Sequence, residues 1–197
     1  MASLNHNIYI HPSATVDEGS TIGSGTKIWH QVHIMPESEI GEDCILGQNV
    51  FIGKGAKIGK GVKIQNNVSV YQGVICEDYV FLGPSMVMTN VINPRSNIER
   101  KEEMQQTLIR EGVSIGANAT IVCGIEIGAY SFIAAGAIVV KDVRPFELII
   151  GNPGRPVGWM SRAGRRLAFD GTNIAYCKEM NEYYHYQNGA VSIKNEK

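Results

Sequence analysis

The chain has 197 residues, of which 44% are hydrophobic and 22 are glycine, and its formal net charge is -1. This composition predicts one globular domain with many tight turns. It argues against a nucleic-acid partner, because phosphate binding requires concentrated Lys and Arg. The start, MASLNHNIYIHPSATV, has no basic segment followed by an apolar one, and no stretch of 18 apolar residues occurs. We therefore expect a soluble, cytoplasmic protein without a membrane partner.

Apolar residues recur every six positions through the first half of the chain. The first residues of successive units are Leu46, Ile52, Ile58, Ile64, Val70, Cys76, Leu82 and Met88, and the fifth residues are also mostly aliphatic. Neither a helix nor a single strand keeps two apolar columns in this register, whereas a coil of three short strands does. The pattern extends back to Ile10, so the predicted β-helix begins at about residue 8. Residues 18 apart should stack, which places Ile10, Ile28, Leu46, Ile64 and Leu82 in one interior ladder.

The six-residue lattice breaks after Met88 and returns at Ile115, after a step that is not a multiple of six. The intervening segment is charged and contains proline, which predicts a projecting loop at about residues 91–113. Such a loop could close over a site or reach a neighbouring subunit. The alternative is a neutral surface insertion.

The β-helix is predicted to span residues 8–143, and residues 144–197 to form a C-terminal cap and tail. A cap is needed because the open end of a β-helix exposes unpaired strand edges. The segment EYYHYQNGAVSIK places aromatic and β-branched residues on both sides of Asn188-Gly189, which predicts a hairpin.

The cysteines and histidines do not suggest a metal centre. Cysteines occur at 44, 76, 123 and 177 without a CxxC pair, which is typical of buried free thiols. His11, His30 and His33 occupy unrelated unit positions and are not expected to converge on a metal ion.

One column of outward positions is polar but uncharged. It contains the third residues His30, Gln48 and Asn66 and the fourth residues Gln31, Asn49, Asn67 and Ser85. Amides and an imidazole can hydrogen-bond a ligand without desolvating a charge. The alternative is an asparagine ladder that stabilises the stack of coils.

Several segments resemble a known family: IWHQVHI, LGQNVFIG, VKIQNNVSVY, LGPSMVMTNVINPRS, IGANATIVCG, AAGAIVVKDV and GNPGRPVGWM. Together they resemble the hexapeptide-repeat nucleotide-sugar 3-N-acetyltransferases over about residues 8–166. The resemblance implies an all-β, left-handed parallel β-helix and a homotrimer with sites between adjacent subunits. It also implies that acetyl-CoA lies along the prism and that a nucleotide sugar enters from the N-terminal side.

The resemblance also implies site residues. Asn90, in the Thr89-Asn90 pair, would orient the reacting amine, although it cannot take a proton. The substrate-binding set is His30, Gln48, Asn66, Asn67, Tyr71, Arg95 and Arg100, and the cofactor-binding set is Gly116, Ala117, Ala135, Gly136, Lys141 and Arg155. His30 lies more than three coils from Asn90, roughly 16 Å along one prism, and cannot be its base within one subunit.

Three functions remain open at this stage. The resemblance is strongest to enzymes that acetylate the 3-amino group of UDP-2-acetamido-3-amino-2,3-dideoxy-glucuronate for surface polysaccharide (O-antigen) synthesis. One alternative acceptor is a dTDP-3-amino-3,6-dideoxyhexose, which lacks the carboxylate. Arg95 or Arg100 could read that carboxylate, or could form ordinary surface pairs with glutamates of the loop. The remaining possibility is a non-catalytic trimeric scaffold.

Overall fold

The computed structural model describes residues 7–194, and its main body is a parallel β-helix of three-sided coils. Most hexapeptides contribute a two-residue strand, and the next residues turn the corner to the following side. Strands stack on strands one coil away, so each side of the prism is a parallel sheet. We name the three sides the long face, the split face and the charged face.

The long face runs the full height of the prism and ends in the cap. Its parallel strands are β1 (Tyr9–Ile10), β4 (Lys27–Ile28), β7 (Ile45–Leu46), β10 (Lys63–Ile64), β13 (Phe81–Leu82), β16 (Ser114–Ile115), β19 (Phe132–Ile133) and β21 (Glu147–Ile150). The register pairs Ile10 with Ile28, Ile28 with Leu46, and onward to Leu82, which confirms the predicted stacking. The ladder is interior from Ile28 onward, whereas Ile10, in the first coil, is 43% exposed.

The split face consists of two separate sheets. The N-terminal one contains β2 (Thr15–Val16), β5 (His33–Ile34), β8 (Phe51–Ile52) and β11 (Ser69–Val70), and the C-terminal one contains β14 (Val87–Met88), β17 (Thr120–Ile121) and β20 (Ile138–Val139). The charged face contains β3 (Thr21–Ile22), β6 (Glu39–Ile40), β9 (Lys57–Ile58), β12 (Val74–Cys76), β15 (Thr107–Ile109) and β18 (Glu126–Ile127).

The core fills the inside of the prism with the predicted first and fifth residues. Ile28, Leu46, Ile64 and Leu82 are completely buried. Short strands of Val and Ile suit this arrangement because one side of each strand packs inward against its stacked neighbours. The cysteines of the described chain are buried and free, in agreement with the prediction from sequence.

The projecting loop is shorter than the segment predicted at about 91–113. It leaves the lattice after β14, contains the 3-10 turn η1 (Lys101–Glu103), and ends where β15 pairs with β12. Ile109 is therefore already a first-position core residue, six residues before Ile115. Ile109 pairs with Cys76 one coil below and lies on the same six-residue lattice as Ile115, so the returning lattice begins one unit earlier than predicted.

The C-terminal residues form the predicted cap and hairpin. Strand β22 (Arg155–Trp159) turns back antiparallel on β21. Strands β23 (Ile174–Cys177), β24 (Glu182–Gln187) and β25 (Ala190–Lys194) form a separate antiparallel sheet. Asn188 and Gly189 connect β24 to β25 with φ values of 52° and 77°, as a tight hairpin requires. Within residues 7–194, no helix is long and apolar enough to cross a membrane.

Candidate functional site

The predicted polar column lies on the corner between the long face and the split face, which we call the amide edge. Its third residues, in successive coils, are His30, Gln48, Asn66, Pro84, Ala117 and Ala135. The Gln48 N–H donates to Asn66 Oδ1 at 2.9 Å, and Asn49 Nδ2 donates to Asn67 Oδ1 at 3.1 Å. An asparagine ladder is therefore present, and it uses the side-chain oxygens of Asn66 and Asn67.

Backbone conformation supplies a further reason for asparagine at the fourth positions. Gln31, Asn49, Asn67 and Ser85 have φ between 57° and 61°. Asparagine tolerates this left-handed region better than most residues because its short polar side chain can hydrogen-bond locally. Part of the polar pattern read from the sequence as ligand chemistry is thus a requirement of the turn.

His30 and Gln48 have more freedom to contact a ligand. Together with Trp29, Ile45, Gly47, Gln65 and Asn66 they line a groove of ≈ 290 Å³. The His30 ring stacks on His11, with centroids 3.5 Å apart, and lies nearly parallel to Trp29. Trp29 and Gln65 were not among the residues predicted from sequence, although Trp29 lies in the quoted segment IWHQVHI.

Higher on the same edge lie the small residues predicted to hold the cofactor. Ala117 and Ala135 occupy successive third positions, and the Gly136 N–H donates to the Ala117 carbonyl at 2.8 Å. A Cβ on Gly116 would lie 2.4 Å from the Ala135 nitrogen, so only glycine allows these coils to approach so closely. The amide edge therefore carries polar side chains in its N-terminal half and the small residues Gly116, Ala117, Ala135 and Gly136 in its C-terminal half.

Asn90 lies on a different corner, between the split face and the charged face, which we call the loop edge. Its third residues are Pro36, Lys54, Gln72, Asn90, Cys123 and Lys141. The preceding Thr89 donates its N–H to the Ile121 carbonyl at 3.1 Å and accepts the Cys123 N–H at its Oγ1 at 2.9 Å, and the Asn90 carbonyl accepts the Gln105 N–H at 3.0 Å. These contacts fix the backbone on both sides of the residue. Among the described residues, no protein group hydrogen-bonds the Asn90 side-chain amide, which remains available to a ligand.

Arg95 and Arg100 share a cavity with Asn90. The loop closes around ≈ 190 Å³ lined by Asn90, Val91, Pro94, Arg95, Ile98, Arg100, Lys101 and Met104. Arg100 binds Glu103 at 2.6 Å, and Lys101 binds Glu99 at 2.9 Å. Arg95 donates to the Pro94 carbonyl at 3.3 Å, and it pairs with no carboxylate within residues 7–194. Of the two predicted arginines, Arg95 is therefore the better candidate to bind an anion.

Tyr71 lies beside the loop edge, one coil below Thr89, where it is half-buried and packs near Phe51 with ring centroids 6.2 Å apart. It stands at the point where the split face separates into two sheets.

Lys141 is two coils above Asn90 on the loop edge and lines a cavity of ≈ 480 Å³ with Arg155. The neighbouring arginines of this basic end are largely committed to the cap. Arg144 binds the buried Glu147, Arg162 binds Glu182 and Arg165 binds Glu179. Lys141 and Arg155 are thus better suited than these arginines to meet an external anion.

In one protomer the predicted residues form two groups on different edges. His30, Gln48 and Asn66 lie on the amide edge, whereas Asn90 and Arg95 lie at the loop edge. His30 also differs from Asn90 in height by three coils, so it cannot act as its base within one protomer. Among the described residues, no group of three His, Cys, Asp or Glu side chains could hold a metal ion.

Two hexapeptide-repeat family descriptions match the chain. The one described as bacterial transferase hexapeptide (six repeats) matches residues 19–54 and 106–141, and the one described as hexapeptide repeat of succinyl-transferase matches residues 39–72. The matched repeats thus occupy residues 19–72 and 106–141. With the three-sided parallel stacking, these repeats confirm the predicted left-handed β-helix.

The proteins that the chain is similar to in sequence include N-acetyltransferases. The chain is 37% identical over 91 residues to the dTDP-3-amino-3,6-dideoxy-alpha-D-galactopyranose 3-N-acetyltransferase of Aneurinibacillus thermoaerophilus, which covers 46% of each chain. It is 36% identical over 76 residues to the 2,3,4,5-tetrahydropyridine-2,6-dicarboxylate N-acetyltransferase of Brevibacillus brevis, covering 39% of this chain and 29% of that protein. The matched segment thus spans less than half of either relative.

A solved structure supports the fold alone. WeeI from Acinetobacter baumannii AYE matches with a TM-score of 0.51 and 16% sequence identity, over 75% of this chain and 57% of that chain.

Proposed function

We propose that this protein is an acetyl-CoA-dependent N-acetyltransferase that acts on the 3-amino group of a nucleotide-linked amino sugar. The observation that carries the proposal is Asn90, whose backbone is fixed on both sides while its side-chain amide is available beneath the loop. The similarity to an enzyme named for acetylation of a dTDP-3-amino sugar supports the same chemistry.

The proposed working form is a homotrimer packed through the split faces. Outward positions on the charged face carry ion pairs, such as Lys57 with Glu39 at 3.1 Å and Arg110 with Glu126 at 2.8 Å. The split face instead presents Phe51, Val87 and Ile138 outward, beside His33, Ser69 and Thr120, and Val87 is 49% exposed. Faces with few charges and exposed apolar side chains are typical of subunit interfaces.

This packing would join the two groups of site residues. The amide edge and the loop edge are the two borders of the split face. Around a threefold axis parallel to the prism, the amide edge of one subunit adjoins the loop edge of its neighbour. His30, Gln48 and Asn66 of one subunit would then share a groove with Asn90 and Arg95 of the next.

In the proposed reaction, a neutral amine attacks the thioester carbonyl, a C–N bond forms and the C–S bond breaks. The main requirement is to place the amine nitrogen about 3–3.5 Å from the carbonyl carbon. Asn90 would accept a hydrogen bond from the amine and aim its lone pair. Because an amide cannot take the proton, the proton would leave on the released thiol or through water.

Acetyl-CoA would lie along the C-terminal half of the groove. Gly116, Ala117, Ala135 and Gly136 lack bulky side chains, so the pantetheine could pass close to the backbone. Lys141 and Arg155, at the cavity of ≈ 480 Å³, would meet the phosphates.

The finer assignment of the acceptor is UDP-2-acetamido-3-amino-2,3-dideoxy-glucuronate, with Arg95 reading the C6 carboxylate. The second candidate is a dTDP-3-amino-3,6-dideoxyhexose, favoured by the similarity to the Aneurinibacillus enzyme.

Replacing Arg95 by Ala should reduce kcat/KM at least tenfold for the uronate and little for the 6-deoxy acceptor. Arg100→Ala is the matched comparison, because Arg100 already binds Glu103. Equal losses for both acceptors would remove Arg95 from carboxylate recognition.

The decisive experiment incubates the protein with acetyl-CoA and a panel of UDP- and dTDP-linked amino sugars while the release of free thiol is followed. Turnover with a 3-amino sugar nucleotide is the expected result. No turnover with any acceptor would favour a non-catalytic trimeric scaffold instead.

A further inference from the structure

The groove on the N-terminal half of the amide edge has an aromatic floor. Trp29 is 39% exposed, and its ring is backed by Tyr9 at a centroid distance of 5.3 Å and by the nearly parallel His30 at 6.3 Å. These neighbours hold the indole in place while part of its surface remains accessible. A preorganised, accessible aromatic surface is a common platform for stacking a planar ligand.

Space above this ring is kept open by a glycine. Trp29, Gly47 and Gln65 occupy the same unit position in three successive coils, so Gly47 lies directly between the other two along the stack. A Cβ at Gly47 would lie 2.5 Å from Asn66 Oδ1, which itself accepts from the Gln48 N–H. The side-chain ladder of the amide edge thus requires glycine here, and the same glycine leaves room for a flat molecule.

The groove is lined by amides, and a lysine lies beside it. Within residues 7–194, no protein group hydrogen-bonds the side-chain amides of Gln48 and Gln65, so each can present a donor and an acceptor to a ligand. Lys63 stacks on Ile45, which lines the groove, and pairs with no carboxylate of the described chain, whereas Lys54, Lys57 and Lys60 all bind glutamates. A flat ligand that also carries phosphate would complement this set.

We propose that Trp29 is the stacking platform for the nucleobase of the sugar nucleotide, and that Gln48 and Gln65 read its edge. The recognised chemistry is a base with an N–H beside a carbonyl, as in uracil, thymine and guanine, because one amide can satisfy both groups. The inference rests on the proposed function for its orientation. Trp29 lies three coils below the height of Asn90, about 14 Å along the prism, and Lys63 lies at an intermediate height, where the phosphates would pass.

The test measures nucleotide binding without acetyl-CoA. The chain has 2 tryptophans, so Trp159→Phe leaves Trp29 as the sole indole reporter. We expect saturable fluorescence quenching of this variant by UMP, TMP or GMP, compared in separate titrations, and none by ribose 5-phosphate. Calorimetry should show that Trp29→Ala weakens binding of the quenching nucleotide roughly 5- to 150-fold, and that Trp29→Phe retains most of the affinity.

Tyr79→Ala is the matched control, because Tyr79 is 57% exposed and lies on the third edge, remote from the groove. Its nucleotide affinity should equal that of the unmodified protein. The inference is overturned if no nucleotide quenches Trp29, or if Trp29→Ala binds nucleotide normally, even when acetyl transfer is observed. Trp29-dependent binding by a protein that transfers no acetyl group would support the inference and count against the proposed function alone.

Discussion

Replacing Asn90 by Ala should slow the proposed acetyl transfer without disturbing the fold. Among the described residues, no protein group bonds the Asn90 side-chain amide, and its backbone contacts to Gln105 survive the substitution. The expected loss is that of one hydrogen bond to the amine in the transition state. A bond worth about 1.4–2.7 kcal/mol corresponds to a roughly 10- to 100-fold lower kcat. This is smaller than the roughly 10²- to 10⁴-fold loss on removal of a true general acid or base.

The assay is steady-state release of free thiol at saturating acetyl-CoA, with circular dichroism and light scattering to show that fold and assembly are retained. Asn93→Ala, an exposed asparagine of the same loop, is the control and should retain normal kcat. Unchanged kinetics for Asn90→Ala would remove Asn90 from the site. A loss well beyond 10²-fold would contradict a purely orienting role.

Three further predictions concern assembly, core and thiols. Val87→Glu should convert the proposed trimer to monomers in light scattering, whereas Thr21→Glu on the charged face should leave it assembled. A Val87→Glu protein that is still trimeric would rule out packing through the split face. Ile64→Ala, at a fully buried position, should lower the free energy of unfolding measured in urea by about 3–4 kcal/mol, because apolar carbons are lost and a cavity remains. The neighbouring Lys63→Ala should lower it by under about 0.5 kcal/mol. Burial raises the pKa of Cys76 to about 12, and all four cysteine thiols are buried. A thiol reagent at pH 8 should therefore label the native protein very slowly and modify four thiols only after unfolding, whereas rapid labelling of the native protein would contradict their burial.

The core could be predicted from sequence because it repeats. Each interior position of a hexapeptide coil has the same neighbours one coil above and below, so the apolar period alone assigns Ile28, Leu46 and Ile64 to one ladder. The hairpin was also predictable, because only a few residue pairs adopt the positive φ values found at Asn188 and Gly189. The end of the loop was placed one unit too late, because the lattice was recognised only from Ile115 although Ile109 already lies on it and is fully buried.

The site was only partly predictable. Sequence identified Asn90, the polar column and the two loop arginines as chemically distinctive. It could not separate a ligand contact from a backbone requirement, and φ near 60° now gives Asn67 a reason to be asparagine without any ligand. Nor could it show that Arg162 and Arg165, unlike Lys141 and Arg155, are committed to the cap, since their partners Glu182 and Glu179 lie well apart from them along the chain.

What the sequence determined by itself is the repeating coil, because local side-chain burial at each unit dictates it. What only the tertiary structure decided is which of the polar side chains are free to meet a ligand. The six-residue period and the 18-residue stack specify the height and corner of each residue before the loop, but they do not encode which side chains bind each other, such as Asn66 with the Gln48 N–H and Arg165 with Glu179. The amide edge and the loop edge each keep a few unpaired groups, which a single prism cannot bring together because its core lies between them.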